Sequence, residues 1–206
     1  DESKSVEENC LGMNRWAQKL GVNVESLAAL PQGTPPRSQV ELDWVYGYNA
    51  RNTRSSVQYT AEGLIVYPAS TVSVIYDKNK LHQTHAMHHS DEVTCLAVHH
   101  RRGIVATSQR CDDDSVLVCV WSAETGDCTR RLYCGNVKAI SSIAFSPSGE
   151  YVAVACQDMI HSIIVFDWLN NVLKCRVAGG KDKVLNLAFS LAKDDFDASL
   201  RLLQGG

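Results

Sequence analysis

Nowhere in the 206 residues is there a run of about 20 apolar side chains, so no helix of this sequence is expected to cross a membrane. There is no excess of positive charge either. Lys and Arg number 20 against 23 Asp and Glu, and the net charge of −3 argues against a protein that holds nucleic acid through its phosphates. Asp1-Glu2-Ser3-Lys4 is not followed by an apolar stretch, so a cleaved secretory leader is not expected. None of the eight cysteines stands in C-x-x-C spacing, while Cys95, Cys119, Cys156 and Cys175 fall in or beside apolar runs. That pattern predicts free, mostly buried thiols in a reducing compartment. A glycine-rich phosphate loop, a nucleophile elbow and an H-E-x-x-H helix are all missing, so neither an enzyme nor a cofactor is expected. His85, His88, His89, His99, His100 and Asp91 are numerous enough to suggest a metal, yet they lack the fixed spacing of a tetrahedral set. A hydrolase built on them is the weakest of the functional readings. Asp112-Asp113-Asp114 likewise lacks the spaced ligands of a calcium loop.

What the chain has is repetition. Leu96-Ala97-Val98 returns as Ile143-Ala144-Phe145 and again as Leu187-Ala188-Phe189, while Tyr76, Trp121 and Phe166 follow one another at intervals of 45 residues. Within one period, Ile140–Phe145, Tyr151–Val154 and Ile163–Asp167 read as strands, with Pro147-Ser148-Gly149 as the first turn. Val172–Val177 reads as an outer strand. A period of about 45 residues made of short strands is the mark of an all-β propeller of WD40 type. Each aromatic of the 45-residue series is expected to pack between neighbouring blades, and His88 is the expected blade-opening histidine. The preceding units read as Val57–Tyr59, Leu64–Tyr67 and Thr71–Tyr76, then Val93–Val98, Ile104–Thr107, Val116–Trp121 and Cys128–Tyr133. Pro68-Ala69-Ser70 reads as a turn, and His85 and His88 as lying between strands.

Outside the repeats, residues 1–39 predict one amphipathic helix from Ser5 to Leu20, followed by the Pro31–Pro36 linker. Residues 40–56 form a hydrophobic motif and residues 57–190 the WD40-like repeats. Val184–Phe189 opens a further unit, but residues 191–206 read as a tail with a short helix over Leu191–Leu203. About three blades cannot close a ring, so the chain is expected to be a piece of a longer protein or to be completed by another chain.

The block Leu42-Asp43-Trp44-Val45-Tyr46-Gly47-Tyr48, with Arg51 and Arg54 downstream and WD-like repeats after it, resembles the hydrophobic motif and first propeller of the echinoderm microtubule-associated protein-like family. The resemblance runs from about Val40 to Ser190. By alternation, Leu42, Trp44 and Tyr46 are expected to share one face packed into the core, and Gly47 to allow a turn or a close backbone approach. Arg51 and Arg54 are expected to cap carbonyls or pair with carboxylates.

The resemblance implies a non-enzymatic scaffold on tubulin, microtubules or other cytoskeletal or axonemal proteins, in the cytoplasm or a ciliary axoneme. Arg101, Arg102, Arg130 and Arg131 are the candidate contacts to an acidic tubulin surface. A general WD40 scaffold in a signalling or trafficking complex is the alternative, with the 5–20 helix as its docking element.

Overall fold

A computed structural model describes residues 41–48, 56–110, 115–190 and 202–205. The expected 5–20 helix, Arg51, Arg54 and Asp112–Asp114 lie outside the described residues. The chain divides into two compact units, Asp1–Asp43 and Trp44–Gly206, and the described strands all belong to the second.

Among the described residues, three four-stranded antiparallel sheets succeed one another in chain order. The first is β1 (Gln58–Tyr59), β2 (Ile65–Ala69), β3 (Val72–Asp77) and β4 (His82–Ala86). The second comprises β5 (Val93–His99), β6 (Ile104–Gln109), β7 (Ser115–Ser122) and β8 (Cys128–Asn136), and the third β9 (Ile140–Phe145), β10 (Tyr151–Cys156), β11 (Ile163–Asp167) and β12 (Val172–Val177). Each is an up-and-down meander, a propeller blade. β13 (Asn186–Phe189) pairs with β14 (Leu202–Gly205). The first strands of successive units, β5, β9 and β13, stand side by side.

Packing obeys the alternation along each strand. In β5, Leu96 and Val98 join Val66, Ile75 and Ala86 of the first blade, while Cys95 and Ala97 join Ile143, Val152 and Val154 of the third. Both faces of the middle blade are therefore buried, which is why its strands are so continuously apolar. A third cluster joins Ala153, Ala155 and Ile163 to Val184 and Leu187 at the start of the next unit.

Some expectations fail. His85, expected between strands, lies within the outer strand β4, which pairs with β3 from Asp77↔His82 to Ser73↔Ala86, while His88 does lie between β4 and β5. An outer strand needs few apolar residues because half of it faces water. Pro68 and Ala69 continue β2 instead of turning; β1 ends before reaching them, so the missing N–H of Pro68 interrupts no ladder. The helix expected up to Leu203 is contradicted at its described end, where Leu202 and Leu203 pair with Phe189 and Ala188.

Candidate interaction surface

The first blade has one face against the second blade and one facing away from it. Tyr59, Ile65, Tyr76 and Gln83 form a cross-strand row on that outward face. Onto it lies the segment 44–48. Trp44 meets the Tyr76 ring edge-on, with centroids 5.8 Å apart. Gln83, in β4, takes hold of the backbone at Val45: Val45 N donates to Oε1 at 2.8 Å, and Nε2 donates to the Val45 carbonyl at 3.2 Å. A side-chain amide thus supplies both halves of a strand pairing. Nε2 also donates to the Tyr67 hydroxyl, and Tyr48 stands edge-on to the Tyr67 ring with its own hydroxyl 2.7 Å from Ser56. Burial, and then the nearby Tyr76, raise the Tyr67 pKa. Gln58 repeats the device towards the second blade, accepting from Val98 N and donating to the Leu96 carbonyl.

The single buried face expected for Leu42, Trp44 and Tyr46 is not formed. Trp44 and Val45 are half-buried, whereas Leu42 is exposed and Tyr46 is 92% exposed. The segment is not a strand, so strict alternation does not govern it. Around Gly47 a Cβ would meet nothing within 4 Å, so close approach is not what glycine provides there.

Tyr76, Trp121 and Phe166 occupy equivalent register positions, opposite Ile65, Val105 and Val152. Trp121 packs toward the first blade and Phe166 toward the second. Tyr76 points where a preceding blade would stand, and Trp44 covers it. In the second blade, Trp121 Nε1 donates to Thr107 Oγ1 at 3.0 Å, and that hydroxyl meets His89 Nε2 at 2.7 Å. His89 Nδ1 reaches Gln109 Oε1 at 3.0 Å. Gln109 Oε1 can only accept, and the Thr107 hydroxyl, accepting from the indole, has its own proton to donate to Nε2, so the network sets a neutral ring with its proton on Nδ1. Burial pushes the His89 pKa down to about 4. His89 is thus the histidine tied to Trp121 through Thr107, whereas His88, expected to open the blade, bonds the Gly126 carbonyl through Nε2 at 2.7 Å. The third blade replaces the pair together, with Phe166 at the Trp121 position and Val154 at that of Thr107.

Two further histidines are similarly engaged. His85 bonds Gln83, and His99 bonds the Pro147 carbonyl and the Arg102 amide. Among the described residues no group of three or more His, Cys, Asp or Glu is placed to hold a metal. Cys95, Cys119, Cys134 and Cys156 are free and buried, and burial raises all four thiol pKa values, Cys119 and Cys156 to about 12.

The four arginines do not make one patch. Arg101 and Arg102 are exposed in the turn leaving β5, and Arg102 lies so close over Gly149 that a Cβ there would stand 2.8 Å from its Cδ. Arg130 and Arg131 are on β8, three strands from β5, where Arg130 donates to the Thr129 and Leu169 carbonyls. A groove of about 620 Å³ runs along β5, β9 and β13, lined by His99, Arg101, Ser142 and Asn186 among others.

The HELP motif model matches residues 35–74, and the WD domain, G-beta repeat model matches 79–120 and 126–163. Repeat and blade are offset by one strand: the match at 79–120 spans β4 of the first blade and β5–β7 of the second. The chain is 30% identical over 167 residues to the 77 kDa echinoderm microtubule-associated protein of Lytechinus variegatus, covering 78% of this chain and 25% of that protein. It is 31% identical over 183 residues to echinoderm microtubule-associated protein-like 3 of Mus musculus, covering 81% and 20%. With the like-named protein 2 of Rattus norvegicus it shares 32% over 142 residues, covering 65% and 22%. The matched stretch is a quarter or less of each relative's length. A HELP match that runs from the segment 44–48 into the first blade, WD repeats offset against the blades, and these relatives together place the chain in the echinoderm microtubule-associated protein-like family.

Proposed function

We propose that the protein is a non-enzymatic scaffold that binds microtubules through its WD40 propeller, on cytoplasmic microtubules or on the doublets of a ciliary axoneme. The observation that carries this reading is the joint presence of the HELP segment and the WD repeats in a chain whose relatives are named as microtubule-associated. Blades held by buried cores present their turns as a fixed surface, and a repetitive filament multiplies weak contacts. Arg101, Arg102, Arg130 and Arg131, all exposed, are the proposed contacts to acidic tubulin, reached from two separate places on the second blade. Acids and bases are nearly balanced, so electrostatics assists such contacts without sufficing for them.

Co-sedimentation of the full-length protein with stabilised microtubules tests the reading. The protein is expected in the pellet, and in smaller amount when the four arginines are changed to Ala. Recovery wholly in the supernatant, with microtubules and with axonemal doublets alike, overturns it.

A further inference from the structure

The connection from β10 to β11, residues 157–162, is fixed in place yet carries an apolar tip. Asp158 accepts from Ser162 N at 2.7 Å and from the Ser162 hydroxyl, and pairs with Arg176 at 3.0 Å. Burial opposes its ionisation, but these bonds outweigh it and hold the carboxyl below its ordinary range. Cys156 N bonds the Ser162 carbonyl, Gln157 N the Ala139 carbonyl, and Gly179 N the Ile160 carbonyl. A Cβ on Gly179 would run into the His161 carbonyl, so glycine alone fits beneath the loop. His161 holds a φ of 47° and leaves its buried Nδ1 without a hydrogen-bond partner. Strain and an unmet polar atom persist only where the surroundings dictate the conformation.

What this loop displays is Met159, 99% exposed, and Ile160, 53% exposed, with exposed Val177 paired to Ile163 at its base. A single exposed apolar residue needs no explanation, but a braced cluster of them marks a contact site. The loop's backbone bonds also place its charged neighbours. Ala139 brings exposed Lys138 alongside, and Gly179 leads into the exposed Lys181-Asp182-Lys183. Asp158 is already neutralised by Arg176, so the rim is three lysines against Asp182.

We infer that this loop is a docking surface for an acidic protein segment whose apolar side chain rests on Met159 and Ile160, with Lys138, Lys181 and Lys183 meeting its carboxylates. An anionic membrane would satisfy the lysines, but two side chains bury too little apolar area to anchor a bilayer, which favours the protein segment.

The test uses the full-length protein and a fluorescein-labelled peptide of glutamates around one leucine, read by anisotropy. Saturable binding is expected, weakened roughly tenfold or more by Met159→Ser with Ile160→Ser, and similarly by Lys181→Glu with Lys183→Glu. Replacing the peptide's leucine by serine should weaken it too. Met159 lies in solvent, so unchanged thermal unfolding is the check that the first variant is folded. Absence of saturable binding, an affinity in either variant equal to that of the unchanged protein, or capture by phosphatidylserine vesicles in place of the peptide overturns the inference.

Discussion

Trp44 stands edge-on to Tyr76, with ring planes at 78° and centroids 5.8 Å apart. Trp121 and Phe166, at the same register position in the next two blades, pack against a preceding blade; Tyr76 has Trp44 of the segment 44–48 instead. Trp44→Ala should therefore destabilise the protein by about 2 kcal/mol, the scale of a half-buried aromatic with its ring contact. Trp44→Phe should retain most of that stability. Urea midpoints for the two variants check this, and equal loss in both would mean that ring geometry at Tyr76 is immaterial.

Gln83 holds Val45 by both its backbone N–H and its carbonyl. Gln83→Leu keeps the volume but leaves a donor and an acceptor of Val45 without their partner, at a cost of about 1 to 3 kcal/mol. Because the segment 44–48 is not itself a strand, the effect should be local. Hydrogen exchange at the Val45 amide is expected to accelerate while amides of β10 and β11 remain unchanged.

Thr107 joins Trp121 to His89, and Thr107→Val leaves both ring nitrogens unmet inside the second blade. A loss of about 2 kcal/mol is expected. The third blade indicates how the loss is relieved, since it carries Phe166 and Val154 at these positions, both buried. Adding Trp121→Phe to Thr107→Val should cost less than the two single changes together, by about 1 kcal/mol. A double-mutant cycle by denaturant unfolding measures that coupling, and strict additivity would deny the network a shared energy.

The repeat was legible because buried strands repeat their apolar grammar: the spacing of Tyr76, Trp121 and Phe166 matches equivalent register positions, and β11 and β12 occupy the residues expected. β4 was not, because an outer strand written His-Gln-Thr-His-Ala has little hydrophobic pattern to read. Gln83 and His89 escaped for a related reason. Their roles depend on partners 38, 18 and 20 residues away, and no local spacing announces a hydrogen bond across strands. The Trp44 block identified its family while its alternation misplaced Tyr46, since alternation has meaning only where a ladder imposes it. The exposure of Met159 and Ile160 likewise needed the structure: the spacing places them in the connection between two strands but does not say which way that turn presents them.

His89 makes the second blade sensitive to acid. Burial holds its pKa near 4, well under the ordinary histidine value of about 6.5. A depressed histidine binds its proton more readily in the unfolded chain, so its contribution is fully present above about pH 6.5 and declines as pH falls toward 4. The displacement corresponds to about 3 kcal/mol across that window. Asp158 and Asp167, held below the ordinary carboxylate range, weaken the fold only at lower pH, roughly under 4, so the two effects separate. His89→Gln should lower stability at pH 7, where the histidine bonds are lost, but flatten its dependence between pH 6.5 and 4.5. Urea midpoints at half-unit steps of pH provide the comparison. Parallel curves for the two proteins would place the acid sensitivity elsewhere.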